Sequence, residues 1–184
     1  MTGSISTAQS KLLLVDTCVV LHACKLGVWN SLTSNLRIAL PETVVGEVIL
    51  QLREEKFDDL SLDIEREVKE GKVAHPSLDA SELKIVRDLS GPKFRGVWDE
   101  GELECMACLL HEEYGCSRVC SSDGVVFRFL GWTRQDEKGV SLEEILDGFG
   151  GPRRKLLPRL TRQYREHWTK QGFGEAWQSG VIKL

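Results

Sequence analysis

The spacing of hydrophobic and polar positions changes several times along the chain. Lys11-Leu-Leu-Leu-Val-Asp16 is a continuous apolar run that stops on a carboxylate. Apolar residues without polar alternation predict a strand covered on both faces, as in a parallel sheet. Over residues 17–32 the apolar positions Val20, Leu21, Cys24, Val28 and Leu32 recur at helical spacing. Residues 36–40 read as a short second strand. Pro41 then opens a helix, where its missing N–H costs nothing, with Val44, Val45, Val48, Ile49 and Leu52 on one face.

The same reading predicts helices over residues 58–72 and 80–89, with residues 73–76 as a short strand between them. Asp79 and Glu82 form a D-x-x-E variant of the capping box at the second of these helices. Pro92 and Gly96 mark residues 91–97 as a loop. A helix over 99–114, a strand over 117–121 and a helix over 123–130 follow. Residues 131–140 are polar and turn-like. Ser141 and Glu144 cap a helix ending near Gly148, and Gly150-Gly151-Pro152 marks a break. Beyond it, Leu156, Leu160, Tyr164 and Trp168 recur at i, i+4 beside Leu157, predicting an amphipathic C-terminal helix. That helix docks on its own domain or inserts into a partner. The run Gly172-Phe-Gly-Glu-Ala-Trp177 carries turn and aromatic residues without a readable signature. Strands alternating with helices predict an α/β fold, a mostly parallel sheet flanked by helices.

Composition narrows this picture. A chain of 184 residues with 41% hydrophobic and 28% charged positions carries one substantial core and is too short for two ordinary domains. No run approaches the ~18 apolar residues of a membrane helix. Residues 1–10 are small and polar, read as a flexible tail without a signal peptide's basic start and apolar core. Together these features predict a cytoplasmic protein. The domain expectation is a body over residues 11–150 and a basic extension over 151–184. Six cysteines in such a chain are read as reduced thiols. Cys105-x-x-Cys108 with Cys116 and Cys120 would suit zinc, but the first two fall inside a helix and Cys120 on a buried strand. The four histidines share no ligand spacing.

Charge is unevenly placed. The formal total is −4, yet residues 152–170 hold seven Lys/Arg against Glu166 alone, and residues 1–151 carry −10. A solvated helix face explains a basic segment, as does a phosphate-binding surface. On the second reading Arg153, Arg154, Lys155, Arg159 and Arg162 track an RNA backbone.

The acidic body has its own pattern. In an open parallel sheet, ligands bind outside the carboxyl ends of the strands. Asp16 and Asp123 follow two predicted strands, Glu47 lies about two turns into the helix after the second strand, and Glu102 sits in a first helical turn. If these strands are neighbours, four carboxylates converge and repel by several kcal/mol at low effective dielectric, so they demand a cation. Oxygen-only ligands select Mg²⁺ or Mn²⁺. Each residue also has a plainer reading: Asp16 as a helix N-cap, Asp99 with Glu102 as a capping box, Asp123 as charge at a helix N-terminus.

The succession Leu14-Val15-Asp16-Thr17-Cys18-Val19-Val20, Pro41-Glu42-Thr43-Val44-Val45-Gly46-Glu47-Val48, Asp99-Glu100-Gly101-Glu102-Leu103-Glu104 and Ser121-Ser122-Asp123 resembles the PIN domain family. The resemblance covers roughly residues 11–150. It implies a three-layer fold and a metal-dependent nuclease, most often an endoribonuclease, with Asp16, Glu47, Glu102 and Asp123 as catalytic carboxylates holding Mg²⁺ or Mn²⁺. Ser121 or Ser122 would occupy the small hydroxyl position before the last acid, with Asp99 and Glu104 as accessories. Many members are toxins paired with an antitoxin protein, so RNA and an antitoxin are the implied partners. The third acid departs from the commoner Asp of the family. The long stretch over residues 53–101 suggests added helices that cover or dimerise the fold. A catalytically silent PIN-like scaffold binding RNA or protein is the alternative. A haloacid dehalogenase-type phosphohydrolase would need an acid where Cys18 stands.

Overall fold

The computed structural model describes residues 11–150 and 155–180. Among them four parallel strands form one sheet: β1 (Leu12–Val15), β2 (Ile38–Ala39), β3 (Cys116–Cys120) and β4 (Gly139–Val140), in the order β2-β1-β3-β4. Successive strand residues face opposite sides of a sheet. Leu14 with Val15, and Val119 with Cys120, are all buried, so helices cover both faces as the apolar run predicted. The 73–76 segment contributes only a bridge, Ala74 against Ala39 at the edge beyond β2. β4 lies in the stretch read as a turn, because Gly139 and Val140 are too few residues to show a period.

The predicted 17–32 helix is two helices, α1 (Thr17–Lys25) and α2 (Trp29–Asn35). Gly27 divides them. At φ +66° it takes the left-handed conformation, and the Gly27 and Val28 amides donate to the Cys24 and Ala23 carbonyls at 2.9 Å. These two bonds are a Schellman termination, which glycine favours for want of a Cβ. α3 (Glu42–Glu54), α4 (Asp58–Lys69) and α5 (Ala80–Ser90) follow. Next come α6 (Glu100–Leu110), α7 (Gly124–Trp132) and α8 (Leu142–Gly148). The Asp79/Glu82 and Ser141/Glu144 capping boxes both form.

The C-terminal segment departs most from its expectation. Its helix, α9, spans Arg162–Gln178, and Leu156 and Leu160 lie before it. Pro158 is the reason: it lacks an amide donor and disfavours helical geometry in the residue before it. It opens a single 3-10 turn instead, and Thr161 caps α9 by accepting the Tyr164 amide at 3.3 Å. Leu156, Leu160, Tyr164 and Trp168 nevertheless all pack on the core. The glycine-rich 172–177 run is helical, held against α7 at very short range. A Cβ on Gly172 would lie 1.8 Å from the Arg128 carbonyl oxygen, and one on Gly131 would lie 2.1 Å from that of Thr169. The expected tail at 1–10, the break at Gly151-Pro152, and Arg153 and Arg154 lie outside the described residues. Among those described, no helix is long and apolar enough to cross a membrane.

Candidate functional site

The strand order reverses between β1 and β3: the chain leaves β1 towards β2, then returns to build β3 and β4 on the other side. Such a switch point opens a crevice at the carboxyl ends of the strands. Val15 and Cys120 are paired in register there, and the Asp16 amide donates to the Cys120 carbonyl at 3.1 Å. Asp16 and Ser121 therefore leave the sheet side by side.

Asp16 is held by three donors. The Val19 amide donates to Oδ1 at 2.8 Å, making Asp16 the N-cap of α1. Ser121 Oγ and the Ser122 amide donate to Oδ2 at 2.6 and 2.8 Å. Ser121 Oγ in turn accepts the Asp123 amide at 2.9 Å, and Asp123 Oδ1 caps α7 by accepting the Val125 amide at 2.7 Å. Glu47 enters from α3 and accepts the Thr17 hydroxyl on Oε2 at 2.5 Å. Glu102 enters from the first turn of α6, where it closes a capping box with Asp99: the Glu102 amide donates to Asp99 Oδ1 at 2.7 Å, and the Asp99 amide to Glu102 Oε2 at 3.3 Å. The plain capping roles and the convergence of acids thus coexist in the same side chains.

All four carboxylates line one cavity of about 350 Å³, with Thr17, Cys18, Gln51, Asp99, Ser122 and Arg159 among its other walls. Its electrostatics are unfavourable without a positive partner. Burial pushes the Asp16 carboxyl up, against the lowering effect of its three hydrogen bonds, and Asp123 adds to the rise. Glu102 is driven well above the usual carboxylate range, first by burial, then by the charges of Asp123 and Asp99. The nearness of the Asp123 carboxylate is thus a direct cause of the rise at Glu102, after burial. Like charges confined in a desolvated site behave this way.

The donor set is all oxygen, which suits a hard divalent ion. No three of the four carboxylates bring their oxygens mutually within 4.8 Å. At that spacing only one or two of them could touch a single ion directly, the others reaching it through water. The tighter triad among the described residues lies elsewhere: Glu82, His111 and Glu113. Histidine spacing alone gave no hint of it. Glu82 is already engaged there, accepting the Tyr114 hydroxyl at 2.6 Å and the Asp79 amide at 2.7 Å.

The accessory residues divide. Asp99 and Ser122 face the cavity, and Ser121 braces it from beneath. Glu104 does not reach it: its carboxylate accepts the Thr43 amide at 2.9 Å and the Thr43 hydroxyl at 2.8 Å, fixing the start of α3. Of the described basic residues only Arg159 lines the cavity, and its positive field reaches Cys18, His22 and Tyr164. Arg162 is turned to α8, 3.6 Å from Glu144 and 3.8 Å from Asp147, while Lys155 is exposed. Thr17 and Gln51 also line the cavity, Gln51 one helical turn beyond Glu47 on α3, a spacing that the i, i+4 pattern of the helix carries. No family model matches the chain, and neither does any curated protein or solved structure.

Proposed function

We propose that the chain is a divalent-metal-dependent endoribonuclease of PIN-like three-layer architecture. The observation that carries this reading is the convergence of Asp16, Glu47, Glu102 and Asp123, from four separate segments, on one cavity at the switch point. Asp16 and Asp123 would hold Mg²⁺ or Mn²⁺ most directly, with Glu102 and Glu47 completing the surroundings. A divalent ion bound there supplies Lewis acidity, lowering the pKa of a water and offsetting charge on a phosphate. The protein's own groups do the rest. The Ser121, Ser122 and Val19 donors lock the Asp16 rotamer, so one geometry is presented without reorganisation. Thr17 aims Glu47 in the same manner. Glu102, whose carboxyl is raised by burial and then by Asp123 and Asp99 until a cation offsets them, is placed to give or take a proton at its carboxyl oxygen. Arg159 faces the acids from the opposite part of the chain and would meet a phosphate oxygen of the substrate strand.

The toxin role, and with it an antitoxin partner, rests on the family resemblance, and a homodimer on the added helices of residues 53–101. A neighbouring short gene for a small basic or DNA-binding protein would support it. The capping geometry favours one rival, a silent scaffold, because Asp16, Glu102 and Asp123 each already serve a helix N-terminus.

Cleavage of a labelled single-stranded RNA in Mg²⁺, Mn²⁺ or EDTA separates the two. Metal-dependent cleavage that falls at least about a hundredfold in Asp16→Asn and in Asp123→Asn supports the nuclease. Equal activity in wild type and variants, or neither cleavage nor metal binding in the wild type, sinks it.

A further inference from the structure

A second cavity, of about 430 Å³, adjoins the acid-lined one and shares Asp99 with it. The first turn of α6 is the wall between them: Gly101 and Glu102 face the acids, whereas Glu100 and Leu103 face the second cavity. Its volume lies in the range of about 300–1,000 Å³ usual for small-ligand pockets. Trp98 lines it and is half-buried and rigidly mounted. The indole stacks on Phe94 with ring centres 6.0 Å apart and planes at 22°, meets Phe129 edge-on at 5.2 Å, and donates from Nε1 to Ser90 Oγ at 3.0 Å. Two exposed guanidinium groups, Arg87 and Arg95, share the lining, and neither forms an ion pair among the described residues.

The remaining charges there are acidic. Asp88 is paired with Lys84 at 2.8 Å, Asp99 is occupied in its capping box, and Glu100 opens α6. A lining of three acids and two arginines does not select a phosphate. It suits a neutral, flat ligand whose face lies on an indole or guanidinium plane and whose edge offers acceptors to arginine donors. A nucleobase has those properties, provided it is unstacked and unpaired.

We infer that this cavity holds an unpaired nucleobase next to the phosphate presented to Asp16, Glu47, Glu102 and Asp123, so that a base is gripped as well as the backbone. The inference rests on the nuclease reading for the strand's path, and on Trp98, Arg87 and Arg95 for the base. Duplex RNA, whose bases are stacked and paired, cannot fill it.

The test has two arms on the full chain. In the first, the KM and kcat of wild-type cleavage of a single-stranded RNA octamer are compared with those of Arg87→Ala/Arg95→Ala, both surface positions that leave the core untouched. In the second, binding to Asp16→Asn protein is followed by fluorescence anisotropy for that octamer, the same strand carrying abasic sugars, and its duplex. Abasic and duplex strands binding roughly tenfold more weakly, with a similar rise in KM and kcat kept in the double variant, is the expected result. Trp98→Phe, which keeps an aromatic face on Phe94, should fall between. Abasic and intact strands binding equally, or an unchanged KM, overturns the inference. Discrimination for bases with neither cleavage nor metal binding would keep the cavity and refute the nuclease. Cleavage without discrimination would do the reverse, and the absence of both would end the two readings together.

Discussion

Glu102 shows how one side chain serves structure and chemistry at once. Its amide is capped by Asp99, its carboxylate caps Asp99 in return, and burial together with the Asp123 and Asp99 charges raises its pKa. A carboxyl raised above its ordinary 4.5 in the fold stabilises fully below that pH, and the contribution is lost as pH climbs towards the raised value. In metal-free buffer the wild type should therefore lose stability from about pH 4.5 upward through neutrality. Glu102→Gln cannot ionise and should flatten that slope, leaving the variant roughly 1–3 kcal/mol more stable near pH 8. Urea denaturation in EDTA at pH 5 and pH 8 measures it, and parallel slopes for the two proteins would refute the raised carboxyl of Glu102. The D-x-x-E spacing made this capping box readable in the sequence. Glu104, two residues on, was not readable in the same way, because its partner Thr43 is 61 residues away and no local pattern records that pairing.

Among the helices, the contact of α7 with α9 is the sharpest case of shape dictating sequence. Gly131 and Gly172 let backbone meet backbone, and a Cβ on Gly124 would strike the Trp168 ring at 2.4 Å. Arg128 then ties the pair together, donating from Nε to Glu175 Oε2 at 2.8 Å, with Lys93 3.2 Å from the same carboxylate. Gly172→Ala should destabilise by about 2–3 kcal/mol or more, since a helix backbone cannot yield as a side chain does. Gly174 is the internal control, with nothing within 4 Å of its would-be Cβ. Gly174→Ala should stabilise α9 by up to about 1 kcal/mol through helix propensity alone. Urea unfolding of both variants checks the contrast, and two losses of equal size would mean that the close approach is not the reason for glycine. The i, i+4 stripe correctly marked which residues reach the core. It misplaced the helix start because the proline at 158 outweighs periodicity.

Taken as a whole, the chain sets a body of formal charge −10 against a basic segment, and the fold pairs two of that segment's five described cations with its own acids. Arg165 binds Glu144 at 2.8 Å and Arg162 approaches Glu144 and Asp147, so α9 is fastened to α8. Arg159 remains with the acids. A site that concentrates carboxylates to this degree should be relieved by a divalent ion. Mn²⁺ at about a hundred times its Kd should raise the melting temperature by roughly 5–10 °C at constant ionic strength. The rise should vanish in Asp16→Asn. An equal shift with K⁺, or an undiminished one in the variant, would attribute it to screening and not to the cavity.

Three of the four strands, most helices and their caps were legible in the linear pattern, since each depends on a period or on a partner within about four residues, and the four carboxylates stood out by their places along the chain. Their meeting depended on the parallel order β2-β1-β3-β4, which sets Asp16 beside Ser121 across 105 residues of chain. The return of Arg159 to the acids, the loss of Glu104 to α3, and the Trp98 cavity against α6 were likewise decided only in three dimensions. Such contacts arise from how covered faces pack once the local elements exist, and packing leaves no period in the sequence.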